Sequence, residues 1–482
     1  MKRLLFFVIL SLLLQFCSQP EVFFQNLDFE VNCADSNFLA CPWKITYQHQ
    51  SEISIERDGE NQYLKIENKD GVGFVEQSYL FEAAESERIF HFVADIKTET
   101  INGNGVSLNL GLYDEEGAFL LNKDFGVYGK IKGTTDWTTY TLSTIIPDDA
   151  TEVRIGLINY GTGTALFDRV HTRQESLKQR KASTFAQNYL KVALDSIKRH
   201  ALYRDSVDLE GLYEKATWIA GNAQTAVEVH MATEYLLKGL QDGHSLFMSA
   251  TSRAKWENND SESSINFSSA LKAGAYGYLS VPGFHSNDSL AKIAFADTLR
   301  QQINNLYKQN IKGWIIDLRA NDGGNMNPML AGLELLFSSD TLGYLVDIRG
   351  KKEAWGRGAA FEKYNGEDYV QPTIDATLQQ TLPIAVLYGN RTGSSGEIVI
   401  LSFVGNEKTQ SFGQASFGLT TGNSEMALPD GSYLFLAATR MADRNGKIYK
   451  GSILPDFPIE VSSSDKDLTL KKARDWLDQQ NN

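Results

Sequence analysis

The sequence predicts a multidomain protein in which an N-terminal antiparallel β-sandwich precedes a small helical subdomain and a C-terminal α/β core with a largely parallel sheet. Three regions of different hydrophobic periodicity along the 482 residues support this fold class. Apolar residues alternate with polar ones in residues 22–172, recur at helical spacing in 173–250, and form continuous runs between helical stretches in 274–482. With 42% hydrophobic and 22% charged residues, the chain can build large packed cores.

Residues 1–17 have the pattern of an export signal. Two cations precede an apolar run from Leu4 to Leu14, which is too short to remain as a membrane-spanning helix. The run ends close to Cys17, where bacterial lipoproteins carry the cysteine that receives diacylglycerol, although bulky Phe16 replaces the small residue preferred there. We therefore expect a signal peptide with a lipobox-like Cys17 and a protein anchored to a bacterial outer membrane, in the periplasm or at the cell surface. Simple secretion is the alternative.

The other two cysteines, Cys33 and Cys41, lie in the segment "NCADSNFLAC". A hairpin at this spacing could close a disulfide bond outside the cytosol. Two reduced, partly buried thiols are the alternative. No set of Cys and His residues with metal-ligand spacing surrounds them.

Composition and motifs exclude several classes of partner. The net charge is −14 and no basic run is interleaved with aromatic residues, whereas nucleic-acid binding needs concentrated Lys and Arg. The sequence contains no HExxH motif, no P-loop and no dinucleotide-binding glycine motif. We expect no nucleic-acid partner, no metal site and no cofactor.

The strands of residues 22–172 include "EISIERD", "IFHFVADIKTE" and "EVRIGLINY", separated by turns rich in Gly, Asn and Asp. The closing part, from "GTTDWTTYTL" to "ALFDRV", resembles the last strands of jelly-roll carbohydrate-binding modules. The resemblance implies a jelly roll and a carbohydrate ligand, onto which exposed Trp43, Tyr128 or Trp137 could stack. The alternative is that these rings pack in the sandwich core.

The α/β core is predicted from buried strands such as "IKGWIIDLRAN" and "LPIAVLYGN" that alternate with helical stretches. Functional loops of parallel sheets gather at the carboxyl ends of the strands. The segments "DLRANDGG" and "GNRTGSSGE" both lie at such ends.

Three segments carry the chemistry of this core: "DGHS" at 242–245, "WIIDLRANDGGN" at 314–325 and "GNRTGSSGE" at 389–397. With "GYLSVPGF" and "GSILPDFPIEV", and in this order, they resemble the tricorn-like and C-terminal-processing (tail-specific) serine peptidase family over residues 190–461. The resemblance implies a crotonase/ClpP-like core and an exported serine endopeptidase acting on a peptide or protein through an acyl-enzyme. The stretch 250–274 is too short for the PDZ domain that many members have.

By this resemblance Ser394, three residues before Glu397, is the nucleophile. A strand–turn–helix junction projects such a hydroxyl toward N–H groups at the helix N-terminus. The resemblance implies the N–H of Ser395 as one oxyanion donor and that of Gly323 or Gly324 as the other. From the local sequence alone, the two serines could simply cap a helix.

The implied general base is His244, whose ordinary pKa of ~6.5 suits proton transfer near neutral pH. The lysine-using branch of the family is excluded at its usual position because Leu419 stands there, in "GQASFGLTTG". A capping or core histidine is the alternative.

The acidic third member of the triad is missing from the place that Ser452 and Leu454 occupy in "YKGSILPDF". Asp443 is the substitute that we expect, and Asp242 is the other candidate. Because this member is unplaced, a catalytically inactive peptide-binding or glycan-binding surface lipoprotein on the same fold is the alternative function.

Overall fold

The computed structural model describes residues 24–30, 40, 42–81, 87–177, 180–257, 267–272, 275–356, 363–364, 367–368, 370–374, 378, 381–460 and 467–481. The chain divides into two compact units, Met1–Lys178 and Gln179–Asn482. The predictions for Cys17, Cys33 and Cys41 lie outside the described residues. Among the helices of the described ranges, none is long and apolar enough to cross a membrane.

The first unit is built from long antiparallel strands. They are β1 (Lys44–Asp58), β2 (Asn61–Leu80), β3 (Arg88–Tyr113), β4 (Phe119–Asp124), β5 (Ile131–Ile146) and β6 (Glu152–Ser176), with the short helix α1 (Gly126–Gly129) after β4. Their order is β1-β2-β6-β3-β4, with β5 also paired to β3. The predicted antiparallel architecture is confirmed, and its last strand runs past residue 172 to Ser176. Within the described residues, hydrogen bonds join these strands into one sheet, so the two-layered jelly roll stays a prediction.

Trp43 cannot stack on a ligand, contrary to one of our expectations. Its side chain is fully buried, its ring packs on Phe29 at a centroid distance of 5.3 Å, and its Nε1–H donates to the carbonyl of Asn26. The Trp137 ring packs edge-to-face on Tyr63. The large apolar area of Trp43 drives it into the core once its N–H has an acceptor there. The side chain of Tyr128 lies outside the described residues, and carbohydrate binding stays a prediction.

The second unit contains the remaining elements. Its helices are α2 (Thr184–His200), α3 (Leu209–Ala220), α4 (Ala226–Lys238), α5 (Ala250–Glu257), α6 (Ser289–Tyr307), α7 (Met326–Leu333), α8 (Ser395–Phe403) and α9 (Leu468–Gln480). Its strands are β7 (Leu246–Met248), β8 (Ser268–Lys272), β9 (Tyr276–Ser280), β10 (Gly313–Asp317), β11 (Thr341–Asp347), β12 (Lys352–Gly356), β13 (Lys363–Tyr364), β14 (Glu367–Asp368), β15 (Ile384–Tyr388), β16 (Thr409–Gly413), β17 (Thr421–Ala427), β18 (Tyr433–Asp443) and β19 (Phe457–Pro458).

A largely parallel sheet forms the centre of the second unit, as predicted. Its order is β19-β16-β15-β10-β9-β8, and only the edge strand β8 of this described sheet is antiparallel to its neighbour. Residues of β10 and β15 are buried throughout because helices cover both faces of the sheet. The carboxyl ends of these two strands are joined where the N–H of Leu318 donates to the carbonyl of Leu387 at 2.7 Å. The loops that follow β10 and β15 therefore start side by side.

An antiparallel sheet in the same unit has the order β12-β11-β18-β17, with β7 pairing with β18. From Gln179 onward, the helical segment predicted as a separate subdomain at 173–250 belongs to this unit, together with the core predicted at 274–482, whereas its first residues continue β6 of the first unit. Helix α2 contacts the antiparallel sheet through Tyr189, whose hydroxyl donates to Asp430 at 2.9 Å. The segment that joins α4 to β7 includes residues 242–245. The crotonase/ClpP-like assignment of the core stays a prediction.

Candidate active site

Ser394 lies in the tight turn between β15 and α8. Its backbone has φ 53° and ψ −121°, a region that residues with a Cβ rarely occupy. Such a conformation costs about 1–3 kcal/mol and persists only where surrounding contacts impose it. Here the N–H of Ser394 donates to Glu397 Oε2 at 2.9 Å, and the N–H of Gly393 donates to the carbonyl of Asn321 at 3.2 Å. These contacts hold the strained turn that carries the Ser394 hydroxyl at the N-terminus of α8.

Glu397 anchors this turn from inside the protein. Its carboxylate is fully buried, and its Oε1 accepts hydrogen bonds from the Ser416 hydroxyl and from the N–H of Gly418. Burial raises the pKa of Glu397, against the lowering effect of these donors and of the Ser394 N–H. The carboxylate thus holds together the Ser394 turn and the loop after β16.

His244 reaches Ser394 from the antiparallel sheet. Its Nε2 lies 2.9 Å from Ser394 Oγ, and its Nδ1 lies 2.6 Å from Thr421 Oγ1. The backbone of His244 is also fixed, because its N–H donates to Asp242 Oδ1 and its carbonyl accepts from the side-chain amide of Asn423. The structure therefore brings together the two residues that the sequence predicted as nucleophile and base.

The imidazole of His244 is kept neutral by its surroundings. Burial lowers its pKa to about 4, and the nearby carboxylate of Asp242 offsets only part of this effect. Leu419 contributes to the apolar surroundings. Its Cδ2 lies 3.9 Å from the position that a Cβ on Gly243, the neighbour of His244, would take, and its Cδ1 lies 3.9 Å from the corresponding position on Gly393. A neutral imidazole has one unprotonated nitrogen, which can accept the proton of a serine hydroxyl.

Two glycines of the loop after β10 lie against the Ser394 turn. Gly323 and Gly324 have φ of 105° and 99°, and a Cβ on Gly323 would be 2.9 Å from the Cβ of Ser394. The N–H of Gly323 is used in a hydrogen bond to Asn321 Oδ1 at 3.0 Å. In the described part of the chain, the N–H groups of Gly324 and Ser395 donate to no protein acceptor. These two N–H groups are available to an external acceptor.

Asn321 is a structural residue of the site that the sequence reasoning missed. It is fully buried, and its Nδ2 donates to the carbonyls of Val281 and Pro282 at 3.2 and 3.3 Å. Its Oδ1 accepts from the N–H of Gly323, and its backbone carbonyl accepts from the N–H of Gly393. Its place in "RANDGG", directly after a buried strand, was the available signal.

Asp443 does not orient His244, so this prediction was wrong. Its Oδ1 accepts from the N–H groups of Asn445 and Lys447, and its Oδ2 accepts from the Tyr449 hydroxyl. The carboxylate therefore closes the turn after β18 and has its donors there. Asp242 contacts the backbone of His244 rather than its ring.

Other acidic residues near the site form ion pairs. Asp317 accepts from Arg319 at 3.0 Å, and Asp322 pairs with His285 at 2.9 Å. The hydrogen bond from His285 holds the pKa of Asp322 below its ordinary value. Among the described residues, no group of three or more His, Cys, Asp or Glu side chains could hold a metal ion.

Comparisons with known proteins show which proteins this chain is similar to. Residues 275–459 match the model of peptidase family S41. The chain is 30% identical over 302 residues to the nisin-resistance protein of Lactococcus lactis subsp. lactis, covering 61% of this chain and 87% of that protein. It is 28% identical over 211 residues to a carboxyl-terminal-processing protease of a Picosynechococcus strain, covering 42% of this chain and 45% of that protein. A solved lipoprotein structure from Streptococcus agalactiae has a TM-score of 0.51 and 25% identity, covering 62% of this chain and 98% of that chain.

The contact between Gly323 and the Ser394 turn leads to a first prediction. Substituting Gly323→Ala should slow the reaction of Ser394 with a fluorophosphonate probe by tenfold or more, because the new methyl group displaces the glycine loop that carries the Gly324 N–H. The matched control is Gly350→Ala, which also has positive φ (81°) but no atom within 4 Å of the added Cβ. The control should react at the wild-type rate, and equal rates for both variants would contradict the contact.

Proposed function

The chain belongs to peptidase family S41 and is a serine-type peptidase, and from this premise we propose that Ser394 and His244 hydrolyse peptide bonds through an acyl-enzyme. The observation that carries the proposal is the 2.9 Å distance between His244 Nε2 and Ser394 Oγ. A serine hydroxyl is a poor nucleophile unless an adjacent base accepts its proton. The neutral imidazole of His244 provides that base.

In the proposed reaction Ser394 Oγ attacks the carbonyl carbon of the scissile bond while its proton moves to His244 Nε2. The tetrahedral intermediate breaks down when the imidazolium gives this proton to the leaving amine, which departs as the new N-terminus of one product. Water then attacks the ester, giving its proton to the same nitrogen. The ester bond to Ser394 breaks, the serine takes back a proton, and the acid product leaves.

We assign the oxyanion site to the N–H groups of Gly324 and Ser395. Both are free of protein acceptors among the described residues. Ser395 follows the nucleophile in sequence, and its hydroxyl donates to the carbonyl of Gly324 at 2.5 Å. Ser395 is also the first residue of α8, whose N-terminus carries partial positive charge. A single oxyanion donor of this kind lowers the free-energy barrier to acyl transfer by about 3–4 kcal/mol. Of the two glycines left open by the sequence, Gly324 is favoured because the N–H of Gly323 is already used.

The loops around the nucleophile suggest the kind of peptide that binds. Phe417 is 62% exposed, yet its N–H donates to the carbonyl of Thr392 and its Cβ lies close to Gly393. Leu454, which is 76% exposed, follows Ile453 on a segment hydrogen-bonded to Ser416. Exposed apolar side chains at this place favour an apolar residue next to the scissile bond. We therefore propose an endopeptidase with apolar specificity.

The names of the two relatives differ: one refers to resistance to nisin and the other to carboxyl-terminal processing. For this chain we propose the chemistry they share through their family, which is cleavage of a peptide or protein, and we propose that it occurs outside the cytosol. The signal-like residues 1–17 and the lipoprotein among the similar structures support export and anchoring through Cys17. A carbohydrate ligand of the first unit remains a separate proposal.

The first test of this function is chemical labelling of the full chain. A fluorophosphonate probe should label the wild-type protein, and Ser394→Ala should abolish labelling while keeping the wild-type denaturation midpoint. His244→Ala should lower the rate by 10²-fold or more, as loss of a general base does (about 10²–10⁴-fold). A folded wild-type protein that stays unlabelled would instead favour a catalytically inactive binding protein.

The pH dependence of the same reaction should reflect the burial of His244. Because its pKa is lowered to about 4, the base is neutral at every pH above that value and is lost only as the pH falls through it. The labelling rate should therefore be level from pH 6 to 9 and should fall with a midpoint near 4, measured where circular dichroism reports folded protein. A midpoint near ~6.5, the ordinary value for histidine, would refute the proposed environment of His244.

The apolar specificity can be measured with a peptide library and mass spectrometry. Phe417→Ser should lower kcat/KM about tenfold for peptides cleaved beside an apolar residue, because roughly 1.4 kcal/mol of apolar contact is lost. Phe119→Ser, at a phenylalanine of the first unit that is 59% exposed, is the matched control and should leave kcat/KM unchanged. A uniform loss over all peptides, or no loss, would contradict the role of Phe417.

Anchoring can be tested by expressing the full chain in a bacterium that processes lipoproteins. The mature wild-type protein should begin at Cys17, carry a diacylglyceryl group by intact-mass measurement and fractionate with membranes. The Cys17→Ala variant should lack this mass and leave the membrane fraction. A wild-type N-terminus without lipid would show simple secretion instead.

A further inference from the structure

We propose that Thr421 is a positioning residue for His244, occupying the place of the acidic third member of a catalytic triad. This inference rests on the proposed function, because it concerns how the base of that reaction is oriented. Thr421 Oγ1 lies 2.6 Å from His244 Nδ1, on the opposite side of the ring from Ser394. Both side chains are buried. In the described part of the chain, no carboxylate oxygen contacts the ring.

The contact between Nδ1 and Thr421 Oγ1 accommodates the tautomer that the reaction needs. When Nδ1 carries the proton and donates it to Thr421 Oγ1, Nε2 has a free lone pair directed at Ser394 Oγ. In the opposite tautomer Nε2 would carry a proton and could not accept one from the serine. A threonine hydroxyl can accept as well as donate, so Thr421 Oγ1 at 2.6 Å permits the Nδ1–H tautomer that an aspartate, which only accepts, imposes in a triad.

The sheet around Thr421 is built to hold it in place. Thr421 begins β17, and the pairing of β17 with β18 shifts register between Gly422 and Asn423. A Cβ on Gly422 would be 2.5 Å from Thr439 Oγ1, so the close packing at this shift requires glycine. Asn423 then donates to the carbonyl of His244. Thr421 and Asn423 thus hold the ring and the backbone of the same residue.

The chemistry of a threonine suits this task. Its branched Cβ restricts the χ1 angle, so Oγ1 has few alternative positions once the backbone is fixed. Unlike a carboxylate, the hydroxyl orients the imidazole without placing a negative charge beside it. The charged group that faces His244 is Asp242, which is bound to the backbone N–H, while Ser394, Thr421 and Leu419 are uncharged. The base therefore stays neutral into acidic solution.

The test compares three substitutions at Thr421 in the full chain, using fluorophosphonate labelling as a function of pH. Thr421→Val removes the acceptor at nearly constant shape and should slow labelling about tenfold or more, the equivalent of one lost hydrogen bond. Thr421→Ser keeps the hydroxyl and should retain most of the rate. Thr421→Asp adds a carboxylate and should move the acidic midpoint upward by about 1–3 pH units.

The matched control is Thr420→Val. Thr420 is also buried, but its hydroxyl bonds to the backbone of Gly451 instead of to the imidazole. This variant should keep the wild-type pH midpoint, even if its denaturation midpoint falls. If Thr421→Val does not fold by circular dichroism, the Ser and Asp variants decide the matter.

The outcomes separate this inference from the proposed function. A wild-type protein that labels at Ser394, with a Thr421→Val variant of unchanged rate and a Thr421→Asp variant of unchanged midpoint, would overturn the role of Thr421 alone. Absence of labelling in the wild-type protein would overturn the proposed function. A lower rate in Thr421→Val together with a raised midpoint in Thr421→Asp is the result that we expect.

Discussion

The hydrogen bond between His244 Nε2 and Ser394 Oγ depends on the relative position of two sheets. Ser394 follows β15 of the parallel sheet, whereas His244 precedes β7 of the antiparallel sheet. The two residues are 150 positions apart in sequence, yet the atoms are 2.9 Å apart. An error of 1 Å in this packing would remove the bond. The buried contacts of Glu397 and Asn321 hold the loops around Ser394 within that tolerance.

Burial weakens His244 as a base but strengthens the hydrogen bonds that an oxyanion can receive at this site. It lowers the pKa of His244 to about 4, which makes the imidazolium less stable than in water by about 3 kcal/mol. The base is therefore weaker, but it is unprotonated over the whole neutral range. The same exclusion of water strengthens the hydrogen bonds available to an oxyanion beside Gly324 and Ser395. With no carboxylate bonded to the ring of its histidine, the site keeps an unprotonated base at neutral pH. It also stabilises the imidazolium intermediate less than an aspartate would.

The parts of the site that the sequence predicted are those set by local backbone geometry. The turn holding Ser394 and Ser395, and the glycine pair Gly323 and Gly324, follow buried strands whose apolar runs are easily read. Leu419 was recognised because a leucine cannot act as a base wherever it lies. The alternating pattern of the first unit likewise predicted antiparallel strands, although it could not tell how a long strand such as β3 bends.

The parts that the sequence could not give depend on strand register. Thr421 contacts His244 only because β17 and β7 flank the same strand, β18, and because the pairing shifts at Gly422. No short motif encodes such a relation, and an acidic residue was therefore sought among nearby aspartates. Asp443 is the substitute that the sequence suggests, but the N–H groups of its own turn satisfy its carboxylate.

The most direct test of the central claim is a crystal structure of the protein after reaction with a fluorophosphonate. We predict a covalent bond from Ser394 Oγ to phosphorus, with the phosphoryl oxygen within hydrogen-bond distance of the N–H groups of Gly324 and Ser395. We also predict that His244 remains in contact with the adduct and with Thr421. A phosphoryl oxygen directed away from these N–H groups, or an adduct on another residue, would contradict that claim.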